Sequence, residues 1–279
     1  MSRIKGIIFD LDDTLAPELS YVKSGYGAVA EKLLEEMGAD TLGRKIAELK
    51  GSAEKNPEAD REKPLAEGSE NTDAGYREKL LAENISHMLW QLFLQDHGNV
   101  FNRFFDLLQV VYDREMIMKY VDCYRGHYPD RNIYSLYEDA EPALGHMKKM
   151  GLRLGLLSDG FAAAQRKKYE SLGLEASGYF DFVMFTGEWG EDYKKPSAKG
   201  FREAAKAFGC KPWELMYVGD NPAKDFYVKK ELKLTTVRIC RPEGVYLDTP
   251  YREDVMEDIR IENLMELISY LSEGREAYI

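Results

Sequence analysis

The segment IKGIIFDLDDTL, residues 4–15, sets Asp10, Asp12 and Asp13 directly behind the apolar run Gly6, Ile7, Ile8 and Phe9. A short apolar run bounded by polar residues reads as a buried strand, and like charges at its end repel each other where water is scarce. A hard divalent cation such as magnesium prefers oxygen ligands and relieves that repulsion. Side chains alternate along a strand, so Asp10 and Asp12 share a face if the extended geometry persists, and Asp13 points away. The plain alternative is a charged strand end facing bulk water. A calcium loop fits worse, because Leu15 stands where the turn glycine belongs and Tyr21 where a bidentate glutamate does. An aspartic protease motif also fits worse, since Leu15 rather than glycine follows Asp13 and Thr14.

Three later strand ends carry groups that such a site needs. LLSDG supplies Ser158, a small hydroxyl able to donate to a phosphate oxygen; taken alone it is a turn or helix-cap serine. YKKPS supplies Lys194 and Lys195, cations able to neutralise phosphate and hold a carboxylate; singly they read as surface lysines. VGDNPAKDF supplies Asp220 and Asp225, oxygen ligands for a metal, or otherwise a turn and an acid at a helix start. Each feature is common by itself, but all four follow or flank strands of what reads as one sheet.

From about residue 138 onward, strand and helix signals alternate, the pattern of a parallel sheet covered by helices. Strands are expected at LRLGLLS, FDFVMFT, LMYVGD and TTVRIC, and helices at EDAEPALGHMKKMG, FAAAQRKKYESLG, SAKGFREAAKAFG, AKDFYVKKEL and IENLMELISYLSEG. The ends of parallel strands, where loops and helix N-termini converge, are where such sheets hold ligands. Between the first strand and this region the patterns are helical only, as in YGAVAEKLLEEMG, LLAENISHMLWQLFLQ and REMIMKYVDCY. The expected organisation is therefore an α/β, Rossmann-like core formed by 1–15 and 133–279, with a helical insertion over 16–132. Within that insertion, residues 51–76, rich in Glu, Lys, Gly, Asn and Pro, read as a polar excursion.

A chain of 279 residues, 44% of them hydrophobic, can bury one large core or a core plus an insertion. Its net charge of -11 argues against nucleic acid or anionic lipid as partner, so an anionic ligand must meet a local positive site. The cysteines Cys123, Cys210 and Cys240 have no paired spacing and read as reduced thiols. No apolar stretch reaches the roughly 20 residues a membrane span needs, and Asp10 interrupts the start too early for a secretory signal. A cytoplasmic location is expected. Oligomeric state has no signal in the sequence.

Taken together, the four motifs resemble those of the haloacid dehalogenase (HAD) superfamily of phosphohydrolases. D-x-D-x-T appears as Asp10, Asp12 and Thr14, the strand-ending serine as Ser158, the lysine before proline as Lys195 and Pro196, and G-D-x-x-x-x-D as Gly219, Asp220 and Asp225. The resemblance implies a HAD-type core with a helical C1 cap, here longer than the compact four-helix form. It implies an Mg2+-dependent phosphatase in which Asp10 is the nucleophile and Asp12 the general acid and base. It further implies that Asp10, Asp12 through its carbonyl, Asp220 and Asp225 hold the metal, and that Ser158 and Lys195 clamp the phosphate beside Thr14, Asp159 and Gly160. The partner would be a small phosphorylated metabolite, of the sugar phosphate or nucleotide class. Dehalogenases of this fold lack the second acid, so a C–Cl substrate is not expected. A phosphomutase retains it, and with a non-catalytic phospholigand-binding module it stays an alternative. CYRGHYPDRNIYSLYEDA resembles a stretch of HAD subfamily IA hydrolases; Arg125 and His127 there, near Arg131, are candidate leaving-group contacts, or else a polar hinge. Tyr21 and Lys23 are candidates at the cap entrance, while Trp90 and Phe93 read as cap core.

Overall fold

All four residues of the first strand, β1 (Gly6–Phe9), are buried, as a strand covered on both faces requires. In the computed structural model, which describes residues 4–53 and 73–272, this strand is followed among the described residues by six helices before the next strand begins, five of them within residues 18–126. These are α1 (Glu18–Met37), α2 (Ala39–Ala53), α3 (Asp73–Gln95), α4 (Val100–Leu107) and α5 (Arg114–Gly126). Then come α6 (Ala140–Lys149), β2 (Arg153–Ser158), α7 (Ala162–Ser171), α8 (Leu174–Ser177), β3 (Phe182–Phe185), α9 (Lys199–Phe208) and β4 (Leu215–Gly219). The described residues end with α10 (Lys229–Leu232), β5 (Thr235–Ile239), β6 (Ile259–Ile261) and α11 (Leu264–Ser272).

The six strands form one parallel sheet in the order β3-β2-β1-β4-β5-β6. This is an α/β, Rossmann-like sheet. Ile7 lies opposite Leu154 on one side and Met216 on the other, so β1 is a central strand. The strand order reverses direction between β1 and β4, the topological switch point at whose carboxyl ends ligands sit in open α/β sheets. Alternation sends Ile7 and Phe9 to one face, packed with Leu156, Val218, Leu144 and Leu267. It sends Ile8 to the other, with Leu157, Tyr217 and Phe201.

The chain divides into two compact units, Met1–Tyr21 with Tyr128–Ile279, and Val22–His127. The second has its own helical core, built on Val29, Leu33, Ile85, Leu89, Phe104, Phe105 and Tyr120. Trp90 and Phe93 stack on each other at 5.6 Å against that core, and the Lys23 ammonium lies 4.7 Å from the Trp90 ring.

Several elements differ from their sequence pattern. The helix expected over 26–38 starts earlier, at Glu18. The helix expected over 223–232 is confined to Lys229–Leu232, because the Asn221 carbonyl and side chain accept from the amides of Lys224 and Ala223 and hold a turn around Pro222. β6, three residues with Arg260 exposed at its centre, was not anticipated. Of the polar excursion, residues 54–72 lie outside the described residues. Among the described residues no helix is long and apolar enough to cross a membrane.

Candidate active site

Asp10 continues the ladder for one residue past β1, its amide donating to the Val218 carbonyl at 2.9 Å. Extended geometry then stops. Asp13 takes a left-handed backbone (φ 50°), a conformation that Asp tolerates in turns. Its carboxylate accepts from the amides of Glu18 and Val245, each at 2.8 Å, which ties the turn to the start of α1 and to the loop after β5. The carboxylates of Asp10 and Asp12 meet different cations, Lys195 and Lys168.

Asp10 Oδ2 lies 2.7 Å from Lys195 Nζ, and the same ammonium reaches Asp225 Oδ1 at 3.0 Å. Lys195 also donates to the Tyr217 hydroxyl at 2.8 Å, which donates to Asp225 Oδ1 at 3.0 Å. Asp225 Oδ2 accepts from the Asn221 amide at 2.8 Å. Gly219 makes this approach possible: a Cβ there would stand 2.5 Å from Asp225 Oδ2. Burial would lower the Lys195 ammonium, but the charges of Asp10 and Asp225 outweigh it and hold the lysine well above its ordinary value. Burial likewise raises Asp225, yet Lys195, Lys224 and the Asn221 amide bring it below the usual carboxylate range. Asp10 is pushed up to about 6, burial prevailing over Lys195. Asp220 rises well above its ordinary value, first through burial and then through the charges of Asp225 and Asp10.

Asp10, Asp220 and Asp225 each offer a buried carboxylate oxygen, all within 4.8 Å of one another. Among the described residues Lys195 is the ammonium in contact with this group, so three buried carboxyls share one cation. Asp220 Oδ2 is buried and has no hydrogen-bond partner, a state that costs free energy unless a donor or a cation meets it. The donor set is all oxygen, which suits a hard divalent ion. These residues fit a divalent metal.

The Asp12 carboxylate belongs to a different network. Lys168 Nζ donates to its Oδ1 at 2.7 Å and its Oδ2 at 2.9 Å, and Gln165 Nε2 donates to Oδ2 at 2.9 Å. Ser158, at the end of β2, donates from Oγ to Gln165 Oε1 at 3.1 Å. Gly160 has φ 136°, and a Cβ there would stand 2.8 Å from the Gln165 amide nitrogen. Asp159 turns its carboxylate toward the Lys195 amide (3.2 and 3.3 Å) and the Thr186 hydroxyl (2.7 Å), so its side chain braces the loop carrying Lys195. Thr14 is buried, with its Oγ1 unpartnered.

Arg125 and His127 belong to the helical unit. Arg125 is exposed in the last turn of α5. His127 is buried at the end of that helix, with Nδ1 2.6 Å from the Tyr124 carbonyl. Tyr21 packs edge to face with Tyr134 at 5.8 Å and lies under Lys168 Nζ at 4.0 Å. Arg131 is exposed. Sequence reasoning missed Gln165, Lys168 and Tyr217. Lys168 stands beside Lys167 in a helix that reads as polar, and no pattern marks which lysine is buried; Tyr217 reads as one more aromatic residue of a core strand.

A family model described as haloacid dehalogenase-like hydrolase matches residues 4–226. The chain is 31% identical over 273 residues to the glyceraldehyde 3-phosphate phosphatase of Methanopyrus kandleri, covering 97% of this chain and 98% of that protein. It is 35% identical over 141 residues to the phosphoserine phosphatase of Thermus thermophilus, covering 50% of this chain and 52% of that one. Among solved structures, a HAD-superfamily hydrolase of subfamily IA, variant 1, from Geobacter sulfurreducens superposes with a TM-score of 0.55 at 18% identity, covering 96% of each chain.

Proposed function

The chain belongs to the haloacid dehalogenase-like hydrolases, and on that premise we propose that it is a magnesium-dependent phosphatase working through an aspartyl phosphate on Asp10. The observation that carries this reading is the buried Asp10 carboxylate, held 2.7 Å from Lys195 within the cluster of Asp220 and Asp225 at the switch point of the sheet. Relatives named as phosphatases support a small phosphorylated metabolite as substrate. Glyceraldehyde 3-phosphate leads the candidates, because the relative so named aligns over nearly the whole chain.

In the first step an Asp10 oxygen attacks phosphorus, the bond to the leaving oxygen breaks, and Asp12 gives that oxygen a proton. In the second, water attacks phosphorus, the bond to Asp10 breaks, and Asp12 takes the water's proton. Lys195 aims the nucleophile and lowers the repulsion between its carboxylate and an incoming phosphate. Ser158 and the backbone of Asp159 and Gly160 bind phosphoryl oxygens. Asp10, Asp220 and the Asp12 carbonyl would hold Mg2+, which when bound supplies positive charge to the transferring phosphoryl group. Asp225, both of whose oxygens already accept hydrogen bonds, holds Lys195 and stands behind that set.

Phosphate release measured over glyceraldehyde 3-phosphate, phosphoserine, phosphoglycolate, sugar phosphates and nucleotides tests the reading. Turnover of at least one of these is expected, together with its loss in chelator, its return with magnesium, and background rates in a folded Asp10→Asn variant. Undiminished release by Asp10→Asn would refute the nucleophile, and full activity in chelator would refute the metal. An isomer formed in place of inorganic phosphate would make the protein a mutase.

A further inference from the structure

Asp12, the proton carrier of the proposed reaction, is gripped by two side chains that stand one helical turn apart on α7. Lys168 reaches both carboxylate oxygens and Gln165 reaches one of them. Both donors are buried, at 3% and 5% exposure, and among the described residues Asp12 is the carboxylate in ion-pair contact with Lys168. A buried ammonium is tolerated only against a close, well-made counter-charge, so removing Asp12 would leave Lys168 as an uncompensated buried charge.

We propose that Lys168 is a positioning residue for Asp12, with Gln165 as its second contact, fixing the carboxyl in the orientation from which it serves the leaving-group oxygen. The proposal rests on the role of Asp12 given above. Asp12 lies past the end of β1 and before the start of α1, outside any regular element that would hold it. The grip from α7 holds its carboxylate instead. Gln165 also accepts from Ser158 Oγ, so one amide ties the orientation of the proton carrier to the hydroxyl assigned to the phosphate. The Tyr21 ring under the ammonium adds a cation–π contact that keeps Lys168 in place. Misplacement of a catalytic group by about 1 Å can cost on the order of 100-fold in rate.

The consequence is specific to one bond. As the Asp10 oxygen bonds to phosphorus and the ester bond breaks, an alkoxide must be protonated by Asp12, whereas p-nitrophenolate departs unaided. Because kcat/KM counts only the steps up to the phosphoenzyme, it isolates that proton transfer. The test compares Lys168→Met, Lys168→Gln, Asp12→Asn and the Asp12→Asn/Lys168→Met double variant of the full chain. The substrates are p-nitrophenyl phosphate and the alkyl phosphate that the wild type turns over fastest, glyceraldehyde 3-phosphate being tried first. In both Lys168 variants kcat/KM for the alkyl phosphate should fall at least about 10-fold further than for p-nitrophenyl phosphate, within the range general acids supply. The effect of Lys168→Met should largely vanish in the Asp12→Asn background, as for two groups acting as a unit. Lys168→Gln retains length and polarity, so it carries the test if the methionine variant does not fold. Equal losses on both substrates, or a Lys168→Met loss undiminished in Asp12→Asn, overturns the positioning role. An Asp12→Asn variant indifferent to the leaving group overturns the role of Asp12 itself, a separate and recognisable failure.

Discussion

Asp220 and Lys195 are both buried charges at one site, yet their removal should act on stability in opposite directions. Asp220 is held in a place that resists its ionisation, through burial and through Asp225 and Asp10. Without metal, Asp220→Asn should therefore raise the melting temperature while abolishing activity. Lys195→Met strips the counter-charge from Asp10 and Asp225 together. It should destabilise by about 3–5 kcal/mol, the usual result of breaking a buried pair from one side. Magnesium should stabilise the wild type through ligand linkage and leave Asp220→Asn nearly unmoved. Thermal and urea unfolding of the three proteins, each with chelator and with magnesium, reads all of these effects. If Asp220→Asn melts below the wild type in chelator, the crowded carboxylates are not the burden described here. Asp10, Asp12, Ser158, Lys195, Asp220 and Asp225 could be singled out in the sequence because each closes or flanks an apolar strand. Lys168 and Gln165 could not, because their burial depends on what α7 packs against, and a polar helix carries no trace of that.

At the scale of the element, α1 shows how a functional turn and a helix start share one cost. Glu18 occupies its first turn, where a negative charge suits the helix dipole. Burial and then the neighbouring charge of Asp12 nevertheless push it up to about 7. Unfolded, a glutamate titrates near 4.3. Between these values the folded protein binds the proton that the unfolded chain has released, so this residue makes stability fall as pH rises, and the penalty is constant above about 7. In chelator, Glu18→Gln should match the wild type near pH 4 and exceed it at pH 8 by on the order of 1–3 kcal/mol. Equal stability of the two proteins at pH 8 would contradict this. The elements themselves were legible where pattern and length agreed. β2, β3, β4 and β5 are apolar runs between turn signals, and their alternation with helices marks the sheet as parallel. β6 escaped notice because three residues centred on an exposed arginine carry almost no period. The helix expected before β5 shrank because Asn221 and Pro222 make a turn there, the same turn that presents the Asn221 amide to Asp225.

For the whole molecule, the parallel sheet is the part that turns distant sequence into chemistry. Asp10, Ser158, Lys195 and Asp220 are far apart along the chain, yet β1, β2 and β4 are adjacent strands whose carboxyl ends open at one place. A protein with a net charge of -11 thereby keeps the buried ammonium of Lys195 beside the carboxylates of Asp10 and Asp225. The helical unit has a separate core of its own, and its apolar spacing was readable in the chain. Roles for Arg125 and His127 were not readable, since specificity is a difference in transition-state contacts and not a pattern of spacing. In the proposed reaction a phosphoryl group passes to one carboxylate, and the most direct measurement is to quench the enzyme in acid during turnover and map the bound phosphoryl group by mass spectrometry. The phosphoryl group is expected on the peptide carrying Asp10 and absent from Asp10→Asn; a phosphoryl group on any other residue, or steady turnover by Asp10→Asn, would contradict an aspartyl phosphate on Asp10.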